Sequence, residues 1–190
     1  MNSRAIAKYA LIVALVIAAY YIDALISTGL PIRVAVATVA VTLTLCQLFD
    51  FKTAVFTTTV FGLLSFLFSY LHPNFTSPAF MNPVVSVIPR VLMGTLSFLA
   101  FSAIKKLTAD SAGKFKREIL PKIAGGAAGV LTNTALVLSM ISLVNGSSLL
   151  GIAIQITVVI AFSVELVVSV TVVPAVSQTI GKRLNYSKLG

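Results

Sequence analysis

The sequence predicts an all-α integral membrane protein: a six-helix bundle with both termini cytoplasmic and a ligand cavity facing outward. Three observations carry that prediction. Of the 190 residues, 58% are hydrophobic and 10% are charged, where a soluble domain carries roughly 25% charged residues. Mean hydropathy is +1.03. Apolar runs recur along the whole chain, and at about 20 residues per span plus short loops the length holds about six helices and leaves no soluble domain. The basic residues are also unevenly placed. Of 14 Lys and Arg, all but Arg33 and Arg90 fall at the N-terminus, in the 50–52 turn, in the 105–122 stretch or in the C-terminal tail. These segments alternate correctly if both termini lie inside. The net charge of +9 therefore reads as a positive-inside bias, not as the footprint of a nucleic-acid partner.

Residues 1–190 form a single membrane domain. Its first span is expected at about 5–22, too long for the apolar core of a signal peptide and followed by further spans. Ala10, Ala14 and Ala18 recur every four residues there, a ridge that lets another helix approach closely. Asp23 opens an outer turn broken by Gly29 and Pro31. The second span is expected at about 32–49, with Arg33 snorkelling at its outer end. Cys46 within it is the lone cysteine, a small buried hydrophobe. After the Asp50-Phe51-Lys52 turn, the third span covers about 53–71. Its run Thr57, Thr58, Thr59 can return hydrogen bonds to the preceding turn. Residues 72–82 form an outer loop with two prolines and the lone His72, an interfacial residue without partner ligands for a metal.

The fourth span, about 84–104, opens with the stretch Asn82-Pro83-Val84-Val85-Ser86-Val87-Ile88-Pro89-Arg90. Asn82, Ser86 and Arg90 are spaced i, i+4, i+8 and share one helical face. Asn82 suits an N-cap and Pro83 the first helical position. Pro89 cannot donate to the carbonyl of Val85, which predicts a kink beside the arginine. A guanidinium inside an apolar run marks a functional site. In the fifth span, about 119–144, Gly125 and Gly129 form a GxxxG seam leading on the same face to Asn133, flanked by Thr132 and Thr134. Asn145 to Ser148 form an outer turn. The sixth span, about 149–173, carries Gln155 near its outer end and Glu165 deeper, and Pro174 marks its exit.

At a rise of about 1.5 Å per residue, Arg90 lies about 12 Å below the outer end of its span. Asn133 and Gln155 reach similar depths, and loops 23–31, 72–82 and 145–148 roof the cavity they face. Counted the same way, Glu165 lies about 24 Å down, about 12 Å beyond Arg90 and out of reach of a direct pair. That leaves an anionic ligand as the counter-ion, and a guanidinium meets a carboxylate in bidentate geometry. No phosphate-binding Gly-Lys loop, histidine cluster, paired carboxylates or G-x-S-x-G occurs, so neither catalysis nor a cofactor or metal is expected.

NPVVSVIPRVLMG (82–94), LTNTALVL (131–138), the Ala10/Ala14/Ala18 ridge and the six-span layout resemble the substrate-binding S component of energy-coupling-factor (ECF) vitamin transporters. The resemblance covers nearly the whole chain and is closest to the pantothenate-specific type. It implies vitamin capture outside the cell, at the prokaryotic plasma membrane. The partners it implies are a transmembrane coupling protein and two cytoplasmic ATPases, against which the S component topples to deliver its ligand. Ala10, Ala14 and Ala18 would dock on the coupling protein. Arg90 would hold the carboxylate of pantothenate, with Asn82, Ser86, Asn133, Gln155 and Phe80 around its hydroxyls and amide. With no Trp in the chain, stacking falls to Phe75, Phe80 or Tyr20, which suits a large flat ring poorly. Folate, then hydroxymethylpyrimidine or thiamine, are the competing ligands. A structural membrane protein without a ligand, and an ion-coupled carrier using Glu165, are the competing functions.

Overall fold

The computed structural model describes residues 3–27, 34–73, 77–110, 113–145 and 149–186. They form seven α-helices and one π-turn, with no strand among the described residues: α1 (Ser3–Ile26), α2 (Val36–Leu48), α3 (Phe51–Leu71), α4 (Ser77–Phe80), α5 (Pro83–Leu107), the π-turn (Phe115–Ile119), α6 (Leu120–Asn145) and α7 (Leu149–Tyr186). Five stretches are long and apolar enough to cross a membrane: α1, α3, α5, the π-turn with α6, and α7; α2 is a shorter apolar helix. The chain is thus an all-helical bundle of membrane-span helices. The outward-pointing side chains match a lipid solvent, since Leu11, Leu25, Leu99 and Val167 are all exposed.

The core gathers Val16, Tyr20, Leu43, Phe61, Met93 and Val173 from α1, α2, α3, α5 and α7. Close packing of α5 is made possible by missing side chains. A Cβ on Gly94 would lie 2.3 Å from Thr58 Cγ2, and one on Gly62 would lie 2.9 Å from Val87 Cα. The GxxxG seam behaves as its spacing predicts. A Cβ on Gly125 would meet Phe101 Cβ at 2.9 Å, and one on Gly129 would meet Leu43 Cδ2 at 2.6 Å and Ser97 Cβ at 3.1 Å. Thr57, Thr58 and Thr59 donate to carbonyls three or four residues back, as their helical setting allows.

Several expectations are corrected. Asp23 does not open a turn: it is a buried residue of α1, which runs on to Ile26. Its carboxylate accepts from Ala37 N (2.8 Å), Thr38 N (2.8 Å) and Thr38 Oγ1 (2.5 Å). It therefore caps α2, which starts at Val36 rather than at about residue 32. The N-cap position itself is Ala35, which has no side-chain acceptor, so α1 supplies one to the second and third helical residues. Residues 77–80 of the expected 72–82 loop are helical. The last helix does not end at Pro174. It continues to Tyr186 with Pro174 inside it, which leaves the carbonyl of Val170 without its helical donor. Tertiary packing makes such interior prolines tolerable in membrane helices. At the 50–52 turn, Lys8 Nζ donates to Asp50 Oδ1 (3.4 Å) and Thr53 Oγ1 (2.9 Å), joining α1 to α3. The Thr53 hydroxyl bond, with Lys8 beside it, holds the Asp50 carboxyl below its ordinary range. Of the three expected roofing loops, residues 28–31, 74–76 and 146–148 lie outside the described residues, as do Arg33 and Phe75.

Candidate functional site

Arg90 is 6% exposed in the interior of α5. Pro89 leaves the carbonyl of Val85 without its helical N–H donor. Arg90 Nη1 donates to that same Val85 carbonyl at 3.0 Å. The proline and the arginine are therefore one device: the first frees an acceptor and the second occupies it. The guanidinium carbon also lies 4.7 Å from the Phe80 ring centroid and 5.6 Å from that of Phe61. Both distances fall within cation–π range. The Nε–H is buried and has no partner among the described residues.

Beside Arg90 is a cavity of about 70 Å³, enough for several waters or a small polar molecule. Asn133 and Thr134 of α6 line it with Phe80, Tyr20 and Glu165. The GxxxG seam thus ends at the cavity, one turn beyond Gly129. Asn133 Oδ1 is buried without a partner among the described residues. Both residues line the hollow, and each carries a buried polar atom without a partner among the described residues.

Of the residues expected to bind a ligand, Arg90, Asn133 and Phe80 meet here, and Asn82, Ser86 and Gln155 do not line the cavity. Asn82 caps α5, its side-chain oxygen accepting from Val84 N at 2.9 Å. Ser86 Oγ donates to the carbonyl of Phe80, which ties down the residue whose ring covers Arg90. Gln155 Nε2 donates to Ser142 Oγ at 2.5 Å, linking α7 to α6. The shared face of Asn82, Ser86 and Arg90 exists, but its first two members serve the helix start and the loop.

Glu165 is the residue that depth counting misplaced. It is buried and lines the same cavity as Arg90. The count assumed that α7 begins at the membrane surface. Its 38 residues span about 57 Å, against about 30 Å of hydrocarbon, so its start overshoots the core. Still, Glu165 and Arg90 are not in salt-bridge contact; among the described residues the pair within 4.0 Å is Lys8–Asp50. Glu165 shares the cavity wall with Ala35, at the start of α2, where the Asp23 carboxylate caps the helix. The sequence signal was an acid in or beside an apolar run, but nothing local names the helix end that each one faces.

Ala10, Ala14 and Ala18 are all exposed. The ridge packs on no described helix of its own chain, and Ala10 and Ala14 floor a shallow groove with Ile6, Tyr9 and Phe56. His72 is exposed and stacks on Phe68, with centroids 5.6 Å apart. No group of three or more His, Cys, Asp or Glu is placed to hold a metal among the described residues. Comparison with protein-family models and with curated proteins finds no match for this chain.

Proposed function

We propose that this chain is the vitamin-binding S component of an ECF-type importer and that its ligand is pantothenate. The observation that carries the reading is a buried guanidinium with an unpartnered Nε–H beside a polar hollow. Its neighbouring carboxylate, Glu165, lines the same hollow but is not in salt-bridge contact with Arg90. A carboxylate guest would fill the open side of Arg90, and its hydroxyls or amide N–H would donate to Asn133 Oδ1 and Glu165. Pantothenate combines these groups in a small flexible molecule. The absence of Trp weighs against folate.

In this reading α2 is the sixth, short span, both termini are cytoplasmic and the cavity opens outward. The basic residues cluster toward the C-terminal end of α5 and the start of α6, away from Arg90, which supports that orientation. The exposed alanine ridge of α1 supports docking to a coupling protein, with two ATPases supplying the energy. The competing reading is a structural membrane protein, and the Arg90–Val85 bond favours it, because the charge is partly satisfied at home.

Isothermal calorimetry on the purified chain separates the two. Arg90→Ala is expected to weaken pantothenate binding more than about a hundredfold, since removing one partner of a buried charge pair costs about 3 kcal/mol or more, while circular dichroism stays helical. Unchanged affinity, or no pantothenate binding by the unaltered chain, would defeat the proposal.

A further inference from the structure

A second polar cleft lies at the other end of α5. Lys105 stands 15 residues beyond Arg90 on that helix, about 22 Å along its axis. The cleft, about 590 Å³, is formed where the end of α2, α5, the π-turn, the start of α6 and α7 meet. Lys105, Arg117, Lys122 and Lys182 line it against one acid, Glu118. Glu118 accepts from Gln178 Nε2 at 3.1 Å. Four cations facing one engaged carboxylate form an anion site in charge terms, but a basic rim alone is common at a membrane surface.

The second observation is Gln47, which also lines the cleft. It is 7% exposed. Its Nε2 donates to the carbonyl of Lys122 at 2.9 Å, which fixes the amide. Its Oε1 is buried without a partner among the described residues. A buried amide oxygen left open beside four cations calls for a ligand carrying both negative charge and a hydrogen-bond donor.

The third observation concerns what adjoins the cleft. An almost wholly apolar groove of about 500 Å³ runs between α1, α2 and α7, lined by Leu15, Val41, Leu45, Val172, Val176 and Ile180. Leu48 and Phe49 line both the groove and the basic cleft. The two hollows therefore adjoin at that wall, one for charge and one for hydrocarbon.

We infer that the cleft and groove together bind one anionic phospholipid whose headgroup carries a free hydroxyl, as phosphatidylglycerol does. The phosphate lies among Lys105, Lys122 and Lys182, the headgroup hydroxyl donates to Gln47 Oε1, and an acyl chain follows the groove past Leu48. The adjoining apolar groove favours a lipid over a free phosphate ion. The inference does not rest on the vitamin reading, because the site lies at the opposite end of α5 and needs only a bilayer.

Native mass spectrometry of the delipidated full chain in detergent tests it, with phosphatidylglycerol, phosphatidic acid, phosphatidylcholine and inorganic phosphate added in turn. Phosphatidylglycerol is expected to be retained at least about tenfold better than phosphatidylcholine. The change K122Q/K182Q should weaken it about 25-fold, at about fivefold per lysine. Gln47→Leu should abolish the preference over phosphatidic acid, which has no headgroup hydroxyl. Lys182 is exposed, so K182Q alone keeps the test open if a buried change unfolds the chain. Equal retention of phosphatidylglycerol and phosphatidylcholine would overturn the inference. So would full retention in K182Q, or inorganic phosphate displacing the lipid.

Discussion

Arg90 owes its position to the residue before it. A proline inside a helix leaves one carbonyl without a donor, and in an apolar medium that carbonyl needs another partner. Here the partner is the side chain of Arg90, anchored by Nη1 to Val85 and covered by Phe80. Pro89→Ala restores a backbone donor to the Val85 carbonyl, which then competes with the guanidinium. The expected result is a weakening of ligand binding by about 1 kcal/mol, roughly fivefold, the net value of one hydrogen bond. Thermal stability should not fall. Calorimetry paired with a melting curve measures both. The missing N–H and the buried charge were legible in the sequence, because both follow from residue type alone. Their pairing was not, because side-chain reach across a helical turn depends on rotamer.

At the scale of the element, α2 begins where no local signal would start a helix. Its N-cap residue is Ala35, and the acceptor comes from Asp23 on α1. Asp23→Ala would leave two backbone donors and the Thr38 hydroxyl short of an acceptor inside the bundle. The expected loss is at least about 2 kcal/mol, read as a lower melting temperature and as faster amide exchange at the start of α2. Retention of wild-type stability would mean that the cap is dispensable. Periodicity and composition made the five long helices and the shorter α2 legible, because each must satisfy its backbone internally. They failed at the ends. The start of α2 is set by an acid on another helix, and α7 passes through Pro174 because its neighbours hold it. Long-range partners of this kind leave no trace in a local window.

At the scale of the molecule, α1 is the most peripheral clue to assembly. Ala10, Ala14 and Ala18 face away from the bundle, so enlarging them should leave the fold and the cavity alone. Replacing all three with leucine is expected to preserve pantothenate affinity within about twofold, as surface changes away from a site do, and to abolish uptake in cells that supply the coupling protein and ATPases. Loss of binding in the purified triple variant would show instead that the ridge supports the cavity. The ridge was readable from its spacing; whether it turned inward or outward was not, since small residues suit both. The meeting of Arg90 with Asn133 was readable from depth, as both helices start near their respective surfaces.

The shortness of α2 has a consequence for how a guest arrives. Thirteen helical residues cover about 20 Å, some 10 Å less than the oily slab they stand in. Ala35, at the start of α2, is a wall residue of the hollow beside Arg90, and Asp23 holds that end in place. In the proposed orientation, headgroups and water sink to meet a helix that stops early, and a hydrophilic solute then comes within reach of the guanidinium along a wet dimple, with little hydrocarbon left to cross.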